Sequence, residues 1–192
     1  MLSEVSEIDR IVVATDCSRI VDCVKSLNID RVEVYRRSSD NAQDHSSTES
    51  VMLEYIEADK SIENQDTFML VQATSVFTTS ADIMNGLKAI RDIKVDSVLS
   101  CIESKQFFWT ADGEAINYDY KSRPRRQDFD GQLIENGAFY INKVESIKEA
   151  QNRLSGNIRP VIMPAYTSIE LDEPNDWIMA EAVMEKLIKS NS

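Results

Sequence analysis

Histidine, cysteine and long apolar runs are scarce in this chain, and each scarcity removes a class of function. One histidine, His45, stands in 192 residues, so a multi-histidine metal site is excluded. The three cysteines, Cys17, Cys23 and Cys101, are an odd number without metal-type spacing, which argues for free thiols in a reducing compartment over a disulfide framework or a zinc site. The longest apolar stretches run four or five residues, against roughly 18 to 20 for a membrane helix. Met1–Arg10 is too polar for a signal peptide. There is no internal repeat, low-complexity tract or Gly/Ser linker. These absences predict a single intracellular domain, cytoplasmic, with the nucleus open for an animal source. Lys and Arg number 21 against 33 Asp and Glu, a formal charge of −12, so nucleic acid is not expected as a partner. With 42% hydrophobic residues the chain can still bury a substantial core.

What is present alternates between strand and helix patterns. Ile11–Ala14 and Phe68–Val71 are continuous apolar runs, as expected of strands covered on both faces, and Val32–Tyr35 reads as a strand. Between them, Cys17–Leu27 carries Ile20, Val21 and Val24 at helical spacing, and Val51, Met52, Tyr55 and Ile56 mark another helix. A third helix shows Ile83, Leu87 and Ile90 on one face, and Asp96–Cys101 reads as a fourth strand. A helix over Val144–Leu154, a strand at Ile158–Met163 and a closing helix after Pro174 complete the order. The pattern predicts an α/β fold with a mostly parallel sheet flanked by helices. Lys105–Ile141 breaks it, being aromatic, basic and poor in helical period, and is expected to leave the sheet as an arm or hairpin.

In open parallel sheets ligands bind beyond the carboxyl ends of the strands. Thr15-Asp16, Arg36-Arg37 and Gln72–Ser75 occupy those places and offer groups suited to a base and ribose, although wet loops also end in polar residues. Ser46 and Glu49 fit the S-x-x-E capping box, which makes Ser46, Ser47 and Thr48 helix-start residues, and His45 reads as a turn residue. Arg123, Arg125 and Arg126 could bind a carboxylate or phosphate, or form a solvated basic loop or an import-signal-like cluster. Glu170 and Asp172, two apart at the end of the last strand, could present two hard oxygen ligands to Mg²⁺, or Asp172 or Glu173 could cap the helix near Pro174.

Taken together, several of these segments resemble the N-acylneuraminate cytidylyltransferases, or CMP-sialic acid synthetases. Arg123–Ile141 (RPRRQDFDGQLIENGAFYI) is the most specific match, particularly to animal-type members. IVVATD (Ile11–Asp16), YRRSS (Tyr35–Ser39), DHSST (Asp44–Thr48), QATS (Gln72–Ser75) and ELDEPNDW (Glu170–Trp177) follow in the family's order. The resemblance implies a nucleotide-diphospho-sugar transferase type fold over 1–192, a homodimer formed through a protruding arm at 105–141, and an enzyme. Its reaction would be CTP + acylneuraminate → CMP-acylneuraminate + pyrophosphate, with Mg²⁺. It further implies that Arg37, Ser47 and Thr48 contact cytidine, that Gln72 binds the sugar acid, and that Arg126 and Tyr140 lie near the sugar and its carboxylate, Arg126 across the dimer. Asn136 sits in the same motif. Asp172 matches a metal-binding aspartate, and Glu170 stands where many members have aspartate, keeping the charge on a longer arm.

The resemblance also predicts a departure. Members open with a strand and a Gly-Ser-Lys-like loop that cradles the triphosphate, whereas the first glycine here is Gly86 and Met1–Ile8 resembles the tail of the family's first helix. The chain is therefore expected to be N-terminally shortened, to leave a central strand unpaired and to bind CTP weakly with slow turnover. Two alternatives stand beside the acylneuraminate enzyme: a non-catalytic remnant acting as a binding or dimerisation module, and a cytidylyltransferase for a related nonulosonate such as legionaminate.

Overall fold

The sheet is built in two pieces. The computed structural model describes residues 1–43 and 45–190, and all statements below concern those residues. The strands are β1 (Ile11–Ala14), β2 (Val32–Tyr35), β3 (Thr67–Val71), β4 (Ser97–Ser104), β5 (Gln132–Lys143) and β6 (Ile158–Met163). The helices are α1 (Ser18–Leu27), α2 (Thr48–Ala58), α3 (Ser80–Ile90), α4 (Val144–Ala150) and α5 (Pro174–Ser190). β1 and β2 pair in parallel as one sheet, and β3-β5-β4-β6 form the other. Among the described residues β1 pairs only with β2 and β3 only with β5, so each keeps an open edge.

β3 in the larger sheet is covered on both faces, which is why Phe68–Val71 reads as an unbroken apolar run. Alternate residues of β3 divide between two cores, following the period of two of a strand. Met69 and Val71 pack with Ile83, Val98, Phe139 and Ile141 beneath α3, while Phe68 and Leu70 pack with Met52, Ile56, Val144 and Ile147 beneath α2 and α4. α3 is fixed at its start by a full capping box, Thr79 with Asp82. α4 ends at Ala150, shorter than its apolar period suggested, because Gln151 adopts a left-handed conformation, φ 52°.

Two expectations need correction. β5 is antiparallel to both β3 and β4, since the chain returns from β4 through an excursion rather than through a crossover helix. The arm is also narrower than 105–141: Gln132–Lys143 is the strand between β3 and β4, and only 105–131 leaves the sheet. Phe139 and Tyr140, read above as arm aromatics, are 0% and 3% exposed in the sheet. Phe107, Trp109 and Phe129 instead stack within the excursion, Phe107 at 4.2 Å from Tyr118 and 5.0 Å from Phe129, and Trp109 at 5.9 Å from Tyr118.

Candidate active site

The loops after β1 and β2 are laced together by backbone. Thr15 N donates to Tyr35 O (2.9 Å) and Arg37 N to Thr15 O (3.4 Å). Arg37 Nη2 donates to the Asp16 carboxylate, a pairing that holds the Asp16 carboxyl below its usual range. Arg37 Nε is buried without a partner. Asp44 of the DHSST motif lies outside the described residues. Ser47 rather than Ser46 is the N-cap of α2, its Oγ accepting from Ser50 N at 3.1 Å. The Ser46/Glu49 capping box does not form. Ser46 Oγ closes the preceding loop, donating to Asp40 O (3.0 Å) and accepting from Gln43 N (3.2 Å), and Glu49 turns to Arg153 instead. His45 is exposed in a turn, as read.

Glu54, on the second turn of α2, holds the loop that carries Arg37. Its carboxylate accepts from Ser38 N (2.9 Å), Ser38 Oγ (2.5 Å), Tyr35 Oη (2.7 Å) and Asn41 Nδ2. These donors, Ser38 first, hold its carboxyl down to about 2. A carboxyl depressed by folding contributes stability that is present above its ordinary value and lost as pH falls through the folded one. The unfolding midpoint of the chain should therefore drop between about pH 4.5 and about pH 2. Thermal scans across that window should show a shallower drop in Glu54→Gln; equal slopes would remove Glu54 as the cause.

A second group converges beyond β3. Gln72 N donates to Ala138 O (3.2 Å), and Leu171 N donates to Thr74 O (3.1 Å), which ties the Glu170–Asp172 segment to the turn after β3. That segment does not extend the last strand. It follows a 3₁₀ turn, Ala165–Ser168, which carries it back over the sheet. Ser75 Oγ donates to Glu170 Oε1 at 3.3 Å. Gly137, φ +70°, lies so close that an added Cβ would sit 2.3 Å from Glu170 Oε1 and 3.1 Å from Gln72 Oε1. Three residues separated by 98 positions in sequence thus meet around one backbone atom. Burial first, then the charge of Asp172, pushes the Glu170 carboxyl above its ordinary range. No group of three or more His, Cys, Asp and Glu side chains gathers among the described residues, so Glu170 and Asp172 stand as a pair.

Asn136 is buried beside this cluster in sequence. Its Nδ2 donates to Thr167 Oγ1 (2.8 Å), while Oδ1 is buried and unpartnered. Arg37 Nε and Asn136 Oδ1 are the two such side-chain atoms among the described residues, and buried orphans of this kind call for an explanation. Tyr140 donates its hydroxyl to Glu135 under the Arg153 guanidinium, 4.8 Å from its ring centroid. Arg126 stands apart. It is exposed on the excursion, lining a hollow with Lys105, Phe107, Phe108, Arg123 and Arg125, and no hydrogen bond, ion pair or ring contact joins it to either group above. Glu54 and Arg153 escaped the sequence reading because their partners lie up to 104 positions away.

Comparison with known proteins fits this arrangement. The profile of the cytidylyltransferase family matches residues 2–152. N-acylneuraminate cytidylyltransferase B of Danio rerio is 30% identical over 183 residues, 92% of this chain and 42% of that protein. Its A counterpart is 31% identical over 158 residues, 78% of this chain and 35% of that protein. The chain thus spans about two fifths of the length of these relatives. Among solved structures, 4-diphosphocytidyl-2C-methyl-D-erythritol synthase of Anaerococcus prevotii superposes with a TM-score of 0.68 at 15% identity, covering 96% of this chain and 82% of that one. The 2-C-methyl-D-erythritol 4-phosphate cytidylyltransferase of Francisella tularensis gives 0.65 at 10% identity, covering 92% and 81%. At such identities the superpositions speak to the fold, a nucleotidyltransferase type α/β sheet flanked by helices, and the profile speaks to descent: this chain belongs to the cytidylyltransferase family.

Proposed function

We propose that the chain transfers a cytidylyl group from CTP to an acylneuraminate, releasing pyrophosphate. The observation that carries this reading is the meeting of Gln72, Gly137 and Glu170, so close that a side chain at position 137 would displace the Glu170 carboxylate. The sequence motifs named those residues from separate places. Both buried orphan atoms also belong to residues that the motifs singled out, Arg37 and Asn136. The acylneuraminate part rests on the names of the relatives at about 30% identity, with a related nonulosonate as the alternative acceptor.

In this reading Arg37, released from Asp16, and the Ser47/Thr48 helix start take the cytidine, while Gln72 and Tyr140 take the sugar acid. The anomeric hydroxyl attacks the α-phosphorus in line, and the task of the side chains is to align the two and to neutralise charge that grows on phosphate oxygens. Glu170 and Asp172 would hold Mg²⁺. Two carboxylates, with the remaining positions left to water and phosphate, match what that ion takes from a protein. When bound, the ion supplies charge neutralisation at the phosphates. Glu170 is partly buried, and Ser75 donates to one of its oxygens and orients it.

Pyrophosphate release with CTP, Mg²⁺ and N-acetylneuraminate, run with the chain in excess over CTP, tests the reading. Release that requires the sugar acid supports it; CTP binding without release under any nonulosonate would favour the binding-module alternative.

The reading includes a homodimer. Arg126 lies apart from the Gln72–Glu170 group within one chain, and Trp109, Ile116 and Tyr120 of the same excursion are 47%, 59% and 56% exposed, which supports a second copy as their cover. Light scattering should return twice the chain mass. A monomer across micromolar concentrations would remove both the dimer and a cross-subunit role for Arg126.

A further inference from the structure

No strand ladder joins β1–β2 to the larger sheet among the described residues, and α2 is one of the elements that bridge them, its Tyr55 ring packing on Tyr35 of β2 and on Phe68 of β3. That helix carries the nucleotide end of the proposed site almost entire. Ser47 and Thr48 form its start, and Glu54 fastens the loop that follows Arg37. The sugar end lies on β5, at Tyr140. One side chain spans the two. Arg153, in the loop after α4, donates through Nε to Glu49 Oε1 (2.5 Å) and through Nη2 to Glu49 Oε2 (3.0 Å), in the first turn of α2. The same guanidinium lies over the Tyr140 ring, 4.8 Å from its centroid.

The strut is anchored at both feet. The Arg153 carbonyl accepts from Asn142 Nδ2 (3.3 Å), and the same amide donates to Ser155 Oγ (3.0 Å). Ser97 Oγ donates to Ser155 O (2.8 Å). Asn142 and Ser97 are 1% and 0% exposed in adjacent strands of the sheet, so the backbone beneath Arg153 cannot drift. At its head, the planar fork of arginine fixes the direction as well as the distance of a carboxylate, which an ammonium cannot do. Both partners are largely withdrawn from water, with side-chain exposures of 18% and 23%, which places the pair apart from the weak exposed ion pairs of the surface.

We propose that Arg153 is a positioning residue that sets the separation between the nucleotide end and the sugar-acid end of the site. The inference rests on the cytidylyl-transfer reading above. It assigns Arg153 no contact with either substrate. Removing it should leave each substrate's own contacts in place and disturb their alignment, and small misplacements of that kind cost up to about a hundredfold in rate.

The test compares the full chain with Arg153→Met, Arg153→Lys and Glu49→Gln, all measured well below their unfolding midpoints. Arg153→Met should lower kcat about 10- to 100-fold while KM for CTP and for the sugar acid each change less than about threefold. Arg153→Lys should recover part of the loss, holding one oxygen but not the fork. Glu49→Gln, which keeps the shape of the pair and guards against a misfolded Arg153→Met, should show the same kcat-selective loss. The double variant should be no worse than Arg153→Met alone, because both act through one contact. An unchanged kcat, or a loss confined to the KM of one substrate, would overturn the positioning role. A lower unfolding midpoint with normal kinetics would do the same. If the unsubstituted chain releases no pyrophosphate from CTP with any nonulosonate, the transfer reading itself is overturned and this inference falls with it.

Discussion

Asp172→Asn should lower cytidylyl transfer by about a hundredfold or more and leave the unfolding midpoint where it is. The Asp172 carboxylate is exposed and has no hydrogen-bond partner among the described residues. The start of α5 is capped by a different residue. Asp176, at the third helical position, accepts from Glu173 N (2.7 Å) and from Asp172 N (3.0 Å), the carboxylate half of a capping box. The sequence left open whether Asp172 or Glu173 caps this helix, and the structure gives the work to Asp176. Asparagine at 172 thus removes a charge and nothing else; in the proposed reading that charge would help hold the Mg²⁺ that neutralises the phosphate oxygens, and electrostatic groups in that role are worth about 100- to 1,000-fold. Glu170→Gln should behave alike, since the amide oxygen can still accept from Ser75. Asp176→Ala supplies the contrast: a stability loss of about 0.5 to 2 kcal/mol with transfer retained below the new midpoint. Full transfer in both Asp172→Asn and Glu170→Gln would sink the assignment of the carboxylate pair.

The elements that sequence located well are those whose signal is local. Apolar runs marked β1 and β3, and β-branched, apolar-rich stretches marked β2 and β6, each to within a residue or so, while the helical period marked α2 and α3, because burial is written into neighbouring residues. β5 was read as arm because Lys105–Ile141 as a whole is aromatic, basic and poor in helical period, yet Ala138–Ile141 is as unbroken an apolar run as the strands that were recognised, and the Asn136-Gly137 pair interrupts the strand before it. The interruption is itself structural. The register between β4 and β5 shifts across Leu99/Cys101, opposite Asn136–Phe139, and the irregularity turns Gly137 toward Glu170. Bulged strands at sites lose their alternation at the residues that matter most.

The closing helix shows the opposite failure. Trp177, Ala180, Val183, Met184, Leu187 and Ile188 share one face, but only Ala180 is buried, and Trp177 and Ile188 stay 58% and 60% exposed. A period tells which side of a helix is apolar and is silent on what meets it. The candidate site residues came from another source: six motifs carried the resemblance, and the resemblance implied Arg37, Ser47, Gln72, Asn136 and Glu170. The residues that hold those groups in place were not legible, because Glu49 with Arg153 and Glu54 with Ser38 are ordinary charged and polar residues until the fold brings them together.

Gly137→Ala should damage transfer and stability together. At φ +70° an L side chain pays about 1 to 2 kcal/mol in conformation alone, and here the new Cβ would stand 2.3 Å from Glu170 Oε1, far inside contact distance. Either the β5 backbone or the Glu170 carboxylate must move. Because Leu171 N is bound to Thr74 O and Ser75 Oγ to Glu170, moving the carboxylate also disturbs the turn after β3 that carries Gln72. Transfer should therefore fall at least a hundredfold, alongside a stability loss of about 1 to 3 kcal/mol. Gly113→Ala separates the two effects. It also has positive φ, +87°, but nothing lies within 4 Å of its added Cβ, so it should show the conformational loss of about 1 to 2 kcal/mol without any change in transfer. Equal transfer by the two variants would mean that the close approach of Gly137 to Glu170 and Gln72 is packing and that the chemistry lies elsewhere.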